Sequence, residues 1–439
     1  MLNSLEQLHS SQFIGAKRIT LREDLTTLPT AVFRFADSLE ILDLSENKLT
    51  NLPDDFGKLE QLKILFLSNN RFQEIPSVLK TCKSLEMIAF KSNQIEYFPE
   101  DALPLNTKWL MLTNNQIESL PQSFGNLTKL RKLALAGNRL TSLPISIEFC
   151  KNLELARFSA NRLTDIPDSL LSLPKLAWLS FSGNDCVEKN EHRTIPTTKF
   201  EFGDFNLLDK IGEGASGIIY NAQWTEGANK DLLYPDRLAI KLFKDHLTSD
   251  GFAADEIDCA MSAGRHPSLI KIVGHIADEQ QLGLIMEIIP NEYSNLGQPP
   301  NFQTCTRDTF NQNQTLVAEN IHSVYFHMAD VLMQIHQNGV SHGDLYAHNI
   351  MIDESFIPLF GDFGAATPVS SLSSSQRLKM EQIEVRAFGC LMDDLLGIHP
   401  IAHENSLTEH LKDLRSRCMT LQQEMRPSFQ EIQTTLSSL

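Results

Sequence analysis

An asparagine returns at Asn47, Asn70, Asn93, Asn115, Asn138, Asn161 and Asn184, at intervals of 23, 23, 22, 23, 23 and 23 residues. A period that regular confines the first part of the chain to a stacked repeat architecture, in which each repeat buries its apolar face only against its neighbours. Around each asparagine stands the same frame, as in L-E-I-L-D-L-S-E-N-K-L-T-N-L-P-D-D-F-G-K-L from Leu39 to Leu59. Leucines at alternate positions fall on one side of a short strand, and the asparagine side chain can satisfy backbone groups in the following turn and link it to the next repeat.

This frame resembles the leucine-rich repeat, over roughly residues 16 to 190. The resemblance implies an α/β leucine-rich-repeat solenoid over residues 1–190, of about seven repeats, with the degenerate copy at Ala16 to Ser38 as its N-terminal cap. On the concave strand face, side chains alternate with the buried leucines; there stand Ile41, Ile64, Phe66, Met87, Trp109, Met111, Leu155 and Trp178. So apolar a row predicts a surface that binds a polypeptide or packs on the rest of the chain. The partner-binding set is Ile64, Phe66, Met87, Trp109, Met111 and Trp178. The competing reading is that some of these side chains are simply tucked beneath their neighbours. Asp185 to Gly203 breaks the period, with charges mixed among Thr194, Pro196, Thr197 and Thr198, and predicts a linker at residues 191–202.

With 439 residues, 42% hydrophobic and 21% charged, the chain has room for two or three domains of ordinary globular composition. A formal charge of -17 argues against nucleic acid or an anionic membrane as the main partner. The seven cysteines are odd in number and none forms C-x-x-C, which points away from a disulfide framework or zinc site and towards a reducing compartment. The first residues do not read as a signal peptide and no segment approaches the roughly eighteen uninterrupted apolar residues of a membrane span, so the expected location is the cytoplasm.

After Phe205 the pattern becomes strand, turn, strand. I-G-E-G-A-S-G-I-I-Y supplies Gly212, Gly214 and Gly217 between two apolar runs. Glycines let backbone amides approach phosphate closely, and Ile218, Ile219 and Tyr220 favour a second strand over the helix that a Rossmann turn requires. L-A-I-K-L then places Lys241 on a buried strand. A cation there can meet phosphate if a carboxylate holds it; Glu256 is the candidate, with Asp255 and Asp258 as rivals on the same helical stretch. V-S-H-G-D-L-Y-A-H-N, from Val340, sets Asp344 and Asn349 five residues apart, and Asp362-Phe363-Gly364 follows thirteen residues after Asn349. That spacing lets one loop carry a carboxylate for an attacking hydroxyl and an amide oxygen for a magnesium ion.

Taken in order, these motifs resemble the eukaryotic-type protein kinase set, over roughly residues 203–439. The resemblance implies an α+β two-lobed protein-kinase-like domain at residues 203–439, following the solenoid and the linker. It also implies ATP and Mg²⁺ as cofactors. Gly212, Gly214 and Gly217, with Ile211, Ile219, Ala239, Lys241, Met286, Glu287 and Ile288, are expected to bind ATP. Lys241, paired with Glu256, is expected to contact the α and β phosphates, Asp344 to orient the acceptor, and Asn349 and Asp362 to hold the metal. His342 braces the loop, and His266 and His322 are structural.

The departures bear on the substrate. Gly343 stands where many kinases carry an arginine that pairs with a phosphorylated activation segment, so its absence suggests no wait for such a switch. Tyr346 replaces a common lysine, and H-G-D-L also resembles the loop of small-molecule kinases. No A-P-E motif separates Asp362 from Glu384, which falls where helix F usually carries an aspartate. Ser370 to Ser375 reads as an autophosphorylation site or a flexible polar loop. Arg426 has Glu381 or Glu384 as candidate partners, or else lies on the surface. The implied family is the intracellular leucine-rich-repeat kinases, acting in signalling, with serine or threonine on a protein as acceptor. The alternatives are a small-molecule kinase on the same fold and a nucleotide-binding scaffold.

Overall fold

The fold is that of a computed structural model, which describes residues 2–187, 198–214, 216–226, 234–248, 250–278, 281–403 and 405–439. Residues 191–197 of the expected linker lie outside that set. The chain separates into two units, Met1–Leu176 with Asn184–Cys186 and Ala177–Gly183 with Val187–Leu439.

In the first unit, a helix α1 (Leu5–His9) precedes seven three-residue strands, β1 (Arg18–Thr20), β2 (Ile41–Asp43), β3 (Ile64–Phe66), β4 (Met87–Ala89), β5 (Trp109–Met111), β6 (Lys132–Ala134) and β7 (Leu155–Arg157). They pair in parallel and in register, so that Ile41, Ile64, Met87, Trp109, Lys132 and Leu155 form one column. The middle residues Leu42, Leu65, Ile88, Leu110, Leu133 and Ala156 are fully buried. A three-residue strand has too few backbone bonds to persist alone; the buried column between 3-10 turns and strands stabilises the stack.

The asparagines behave as the spacing predicts. Asn70 Oδ1 accepts from Leu49 N at 2.9 Å, while its Nδ2 donates to Leu67 O in its own repeat and to Leu44 O in the preceding one. Asn138 repeats the pattern with Ile117 N, Leu135 O and Leu112 O. Each amide thereby supplies donors and an acceptor to turn groups that would otherwise be buried without partners.

The strand-face row is less open and less uniform than the leucine frame predicts. Met87 and Leu155 are buried, Ile64, Phe66, Trp109 and Met111 are half-buried, and Lys132 interrupts the column with its Nζ 4.3 Å from the centre of the Trp109 ring. Trp178 lies in strand β8 (Trp178–Ser180), which belongs to the second unit; a short helix α2 (Asp168–Leu171) precedes it in sequence.

In the second unit the strands are β9 (Thr198–Phe200), β10 (Phe205–Glu213), β11 (Gly217–Trp224), β12 (Arg237–Phe243), β13 (Ile272–Ala277) and β14 (Leu282–Glu287). They form one mixed sheet in the order β10-β11-β12-β14-β13-β9. β9, inside the expected linker, is its parallel edge strand, and Phe200 joins Phe205, Ala222, Leu238, Ile240, Ile276 and Ile285 in the core. Helix α3 (Ala253–Ser262) packs on this sheet. The helical part holds α4 (Ala318–Gln337), α5 (Ser374–Gly397), α6 (Ser406–Cys418) and α7 (Phe429–Ser437). α4 buries Ile321, Val324, Tyr325, Met328, Val331, Leu332 and Ile335, an i, i+3, i+4 stripe facing its neighbours. Short strands β15 (Ser294–Asn295), β16 (Val340–Ser341), β17 (Ile350–Ile352), β18 (Pro358–Phe360) and β19 (Thr367–Pro368) pair as β15-β17-β18 and β16-β19.

Candidate active site

β12 is central in the sheet and buried on both faces, as its run of apolar residues demands, and this puts Lys241 at 9% exposure. A buried ammonium requires counter-charge. It finds Glu256 Oε1 on α3 at 2.5 Å and Asp362 Oδ1 at 3.5 Å. Burial works to strip the charge from Lys241, but Asp362 and Glu256 outweigh it and hold the ammonium above its ordinary pKa. Burial pushes the Glu256 carboxyl up to about 7, against the opposing pull of Lys241. Of the three acidic candidates on α3, Glu256 is the one that meets the lysine.

The glycine stretch divides in two. Gly217 begins β11 against β12, where a Cβ would stand 2.6 Å from the backbone oxygen of Leu242, so this glycine is required by strand packing. Around Gly214 a Cβ would meet nothing within 4 Å, and at Gly212 it would meet only the Ile219 side chain. Lys244 ties the turn by bonds to Glu213 Oε1 and Gly214 O. Ala239 faces Met286 across β12 and β14, with Glu287 and Ile288 following; Ile211 is half exposed on the strand above, and Ile219 pairs with Lys241.

Opposite stands the loop from Val340. Asn349 Nδ2 donates to Asp344 Oδ2 at 2.8 Å and to Asp344 O at 3.0 Å. β17 and β18 pair Ile350 with Phe360, so Asn349 and Asp362 leave the same end of one hairpin. Asp362 sits at φ +61, an uncommon conformation for a residue with a side chain, and its carboxylate is 55% exposed. His342 joins the two halves: its ring stacks at 4.1 Å on Phe360, and its Nε2 lies 3.0 Å from Gly361 O. Burial holds this imidazole below its ordinary pKa, so it braces the loop as a neutral ring.

Several contacts were not legible locally. Glu384, eleven residues into α5, is buried and accepts from Gly343 N at 2.8 Å, His342 N at 3.2 Å and Ser341 Oγ at 3.1 Å, with His336 Nε2 at 2.6 Å. It thereby anchors the loop's backbone, whereas the sequence placed it at helix F and offered it only as a candidate partner of Arg426. Asp308, from the polar insert at 291–314, reaches His348 Nδ1 at 2.7 Å and accepts from His348 N. Burial opposes a charge on His348, but Asp308 outweighs it and raises the imidazole's pKa. The neighbouring Arg307 bridges Asp393 and Asp394 of α5.

The serine run is no open loop throughout: Ser373 caps α5 by accepting from Gln376 N, and Ser374 and Ser375 are helical. Arg426 is buried rather than on the surface, and it donates to Gln382 O and Thr420 O. Glu381 accepts from Phe429 N. His266 and His322 bond to Asp330 and to Leu436 O respectively.

Among families of known proteins, the protein kinase domain matches residues 205–388 and the leucine rich repeat matches residues 22–72. A cysteine-rich receptor-like protein kinase 27 of Arabidopsis thaliana is 26% identical over 40% of this chain and 27% of its own length. Fibroblast growth factor receptor 1 of Dugesia japonica is 23% identical over 51% of this chain and 30% of its own. Serine/threonine-protein kinase SSN3 of Pyricularia oryzae is 23% identical over 52% of this chain and 49% of its own. The chain therefore spans between about a quarter and a half of the length of these relatives. The class that fold and family match define is a protein kinase domain preceded in sequence by leucine-rich repeats. The chain carries leucine-rich repeats and a protein kinase domain, the arrangement of a leucine-rich-repeat kinase. Such a domain implies ATP as a ligand, and typically a divalent metal. No helix among the described residues is long and apolar enough to cross a membrane.

Proposed function

We propose that the chain is an active protein kinase that transfers the γ-phosphoryl group of ATP to serine or threonine hydroxyls of a protein. The observation that carries this reading is the charge cluster of Lys241 between Glu256 and Asp362, joined through His342 and Gly361 to the loop of Asp344 and Asn349. Phosphoryl transfer needs alignment and charge neutralisation more than covalent chemistry, and these groups supply both.

The residues fit the ligands. Gly212 and Gly214 leave room above the sheet, Lys241 offers a fixed cation, and Ala239, Met286 and the backbone of Glu287 and Ile288 would receive the adenine. Asn349 and the exposed carboxylate of Asp362 would hold Mg²⁺, which supplies positive charge to the phosphate oxygens when bound. Asp344, held by Asn349, accepts the acceptor hydroxyl's hydrogen bond and orients it. We assign residues 1–190 to the repeat region and residues 203–439, together with the edge strand β9, to the kinase region, in a cytoplasmic setting that suits seven free thiols. The half-exposed Ile64, Phe66, Trp109 and Met111 are the proposed surface for a protein partner.

The test is incubation with labelled ATP, Mg²⁺ and a generic protein substrate. Label on serine or threonine that disappears in Asp344→Asn, with nucleotide binding retained, is the expected result. Binding without transfer to any acceptor, or transfer only to a small alcohol, refutes the reading. Trp109→Asp with Met111→Asp should abolish capture of any protein partner while leaving transfer to the generic substrate intact.

A further inference from the structure

We infer that Ala177–Gly183 is a positioning clamp that holds the Val340–Asn349 loop in its working geometry, so that Trp178 acts on catalysis through Tyr346 and Leu345. The inference rests on the kinase reading above. It begins from Trp178, which is 2% exposed, its ring 4.6 Å from that of Tyr346 and inclined by only 5°. The indole Nε1 donates to Leu345 O at 2.9 Å. Stacking fixes one neighbour of the loop's aspartate and the hydrogen bond fixes another.

The rest of the segment engages the same region. Phe181 N donates to Thr367 Oγ1 at 3.1 Å, and Thr367 lies on β19, directly paired with Ser341 of β16. A Cβ at Gly343 would stand 2.8 Å from Leu179 O and 2.6 Å from Ala365 O, and the residue has φ +71. Only glycine fits there. A Cβ at Gly183 would meet the Phe252 ring at 2.7 Å and Asp255 Oδ2 at 2.6 Å, at the start of the helix that carries Glu256. One seven-residue segment thus reaches Gly343, Leu345 and Tyr346, the strand after Asp362, and the foot of α3.

This arrangement accounts for both departures of the loop. At position 343 an arginine would have to displace the carbonyl of Leu179, so the loop has no cation with which to engage an activation-segment phosphate. Tyr346 supplies a flat face for the indole where a lysine would supply none. Packing by Ala177–Gly183 does the work of holding the loop, and it does so without a modification.

The full chain is compared with Trp178→Ala and Trp178→Phe, the second of which keeps a ring for the stack and drops the indole donor. For Trp178→Ala, kcat should fall by about tenfold to a hundredfold, as expected for a slightly misplaced catalytic group. The KM for ATP should stay within about threefold, because among the described residues Trp178 bonds to the Leu345–Tyr346 side of the site and not to Lys241, Glu256 or the glycine turn. Amide exchange over residues 343–349 should accelerate by about tenfold or more. Trp178→Phe should recover most of the protection and most of kcat. A residue that only filled space would lower the melting temperature while leaving kcat per folded molecule and this local exchange unchanged; that result overturns the clamp, as does a rise in KM equal to the fall in kcat. If the unsubstituted chain transfers phosphate to no acceptor, the kinase reading fails, and exchange at 343–349 still decides: unchanged protection in Trp178→Ala overturns the clamp and lost protection upholds it.

Discussion

Replacing Glu384 by alanine tests how the Val340–Asn349 loop is anchored. The side chain is 2% exposed and accepts from two backbone amides, one hydroxyl and one imidazole. Ser341 and His342 are themselves buried, so most of those donors have no ready route to water. Each stranded buried donor costs about 1–3 kcal/mol, and removing one partner of a buried charged network typically costs about 3–5 kcal/mol in all. We expect a loss of about 4 kcal/mol in the second unit, a fall of roughly 10 °C in its melting temperature for a domain of this size. Burial works to raise the Glu384 pKa, but His336, His342 and the Gly343 amide outweigh it, so the folded value lies below the ordinary 4.5. A depressed carboxyl contributes stability above its unfolded pKa and loses it as pH falls through the folded one. The gap between Glu384→Ala and the parent should therefore be full at pH 7 and shrink below about pH 4.5. Calorimetry across that range, with each transition assigned to its unit by hydrogen exchange, supplies the measurement. A cost under about 1 kcal/mol at pH 7, or a gap that widens in acid, refutes the anchoring argument.

In the repeat stack, Asn138→Ala should destabilise the first unit by about 2–3 kcal/mol, since Ile117 N, Leu112 O and Leu135 O lose a shared partner; urea unfolding of that unit reads the change. Glu256 offers a second pH signature of opposite sign. Its folded pKa, pushed up to about 7 from 4.5, contributes stability below pH 4.5 that is lost as pH rises through 7. Glu256→Gln should flatten this dependence by at most about 3 kcal/mol, and an unchanged slope of stability against pH between 5 and 8 counts against the assignment.

Where the chemistry repeats or follows the chain, the sequence was sufficient. The interval between Asn47 and Asn184 determined a ladder of parallel strands, because each amide must serve the turn of the repeat before it at a constant spacing. The order of Gly212, Lys241, Asp344, Asn349 and Asp362 pointed to a protein kinase domain, because the motif set is recognisable along the chain whatever its packing. Only the tertiary structure chose Glu256 from three acids on one helix, since which carboxylate meets Lys241 depends on the rotation of α3 against β12. It alone brought Glu384, Asp308 and Trp178 to the Val340–Asn349 loop, and His336 to Glu384. Those contacts span 40 to 167 residues of chain, and no local period or motif encodes them. A buried donor is satisfied by whichever acceptor the packed core delivers to it, and that delivery is a property of the fold as a whole.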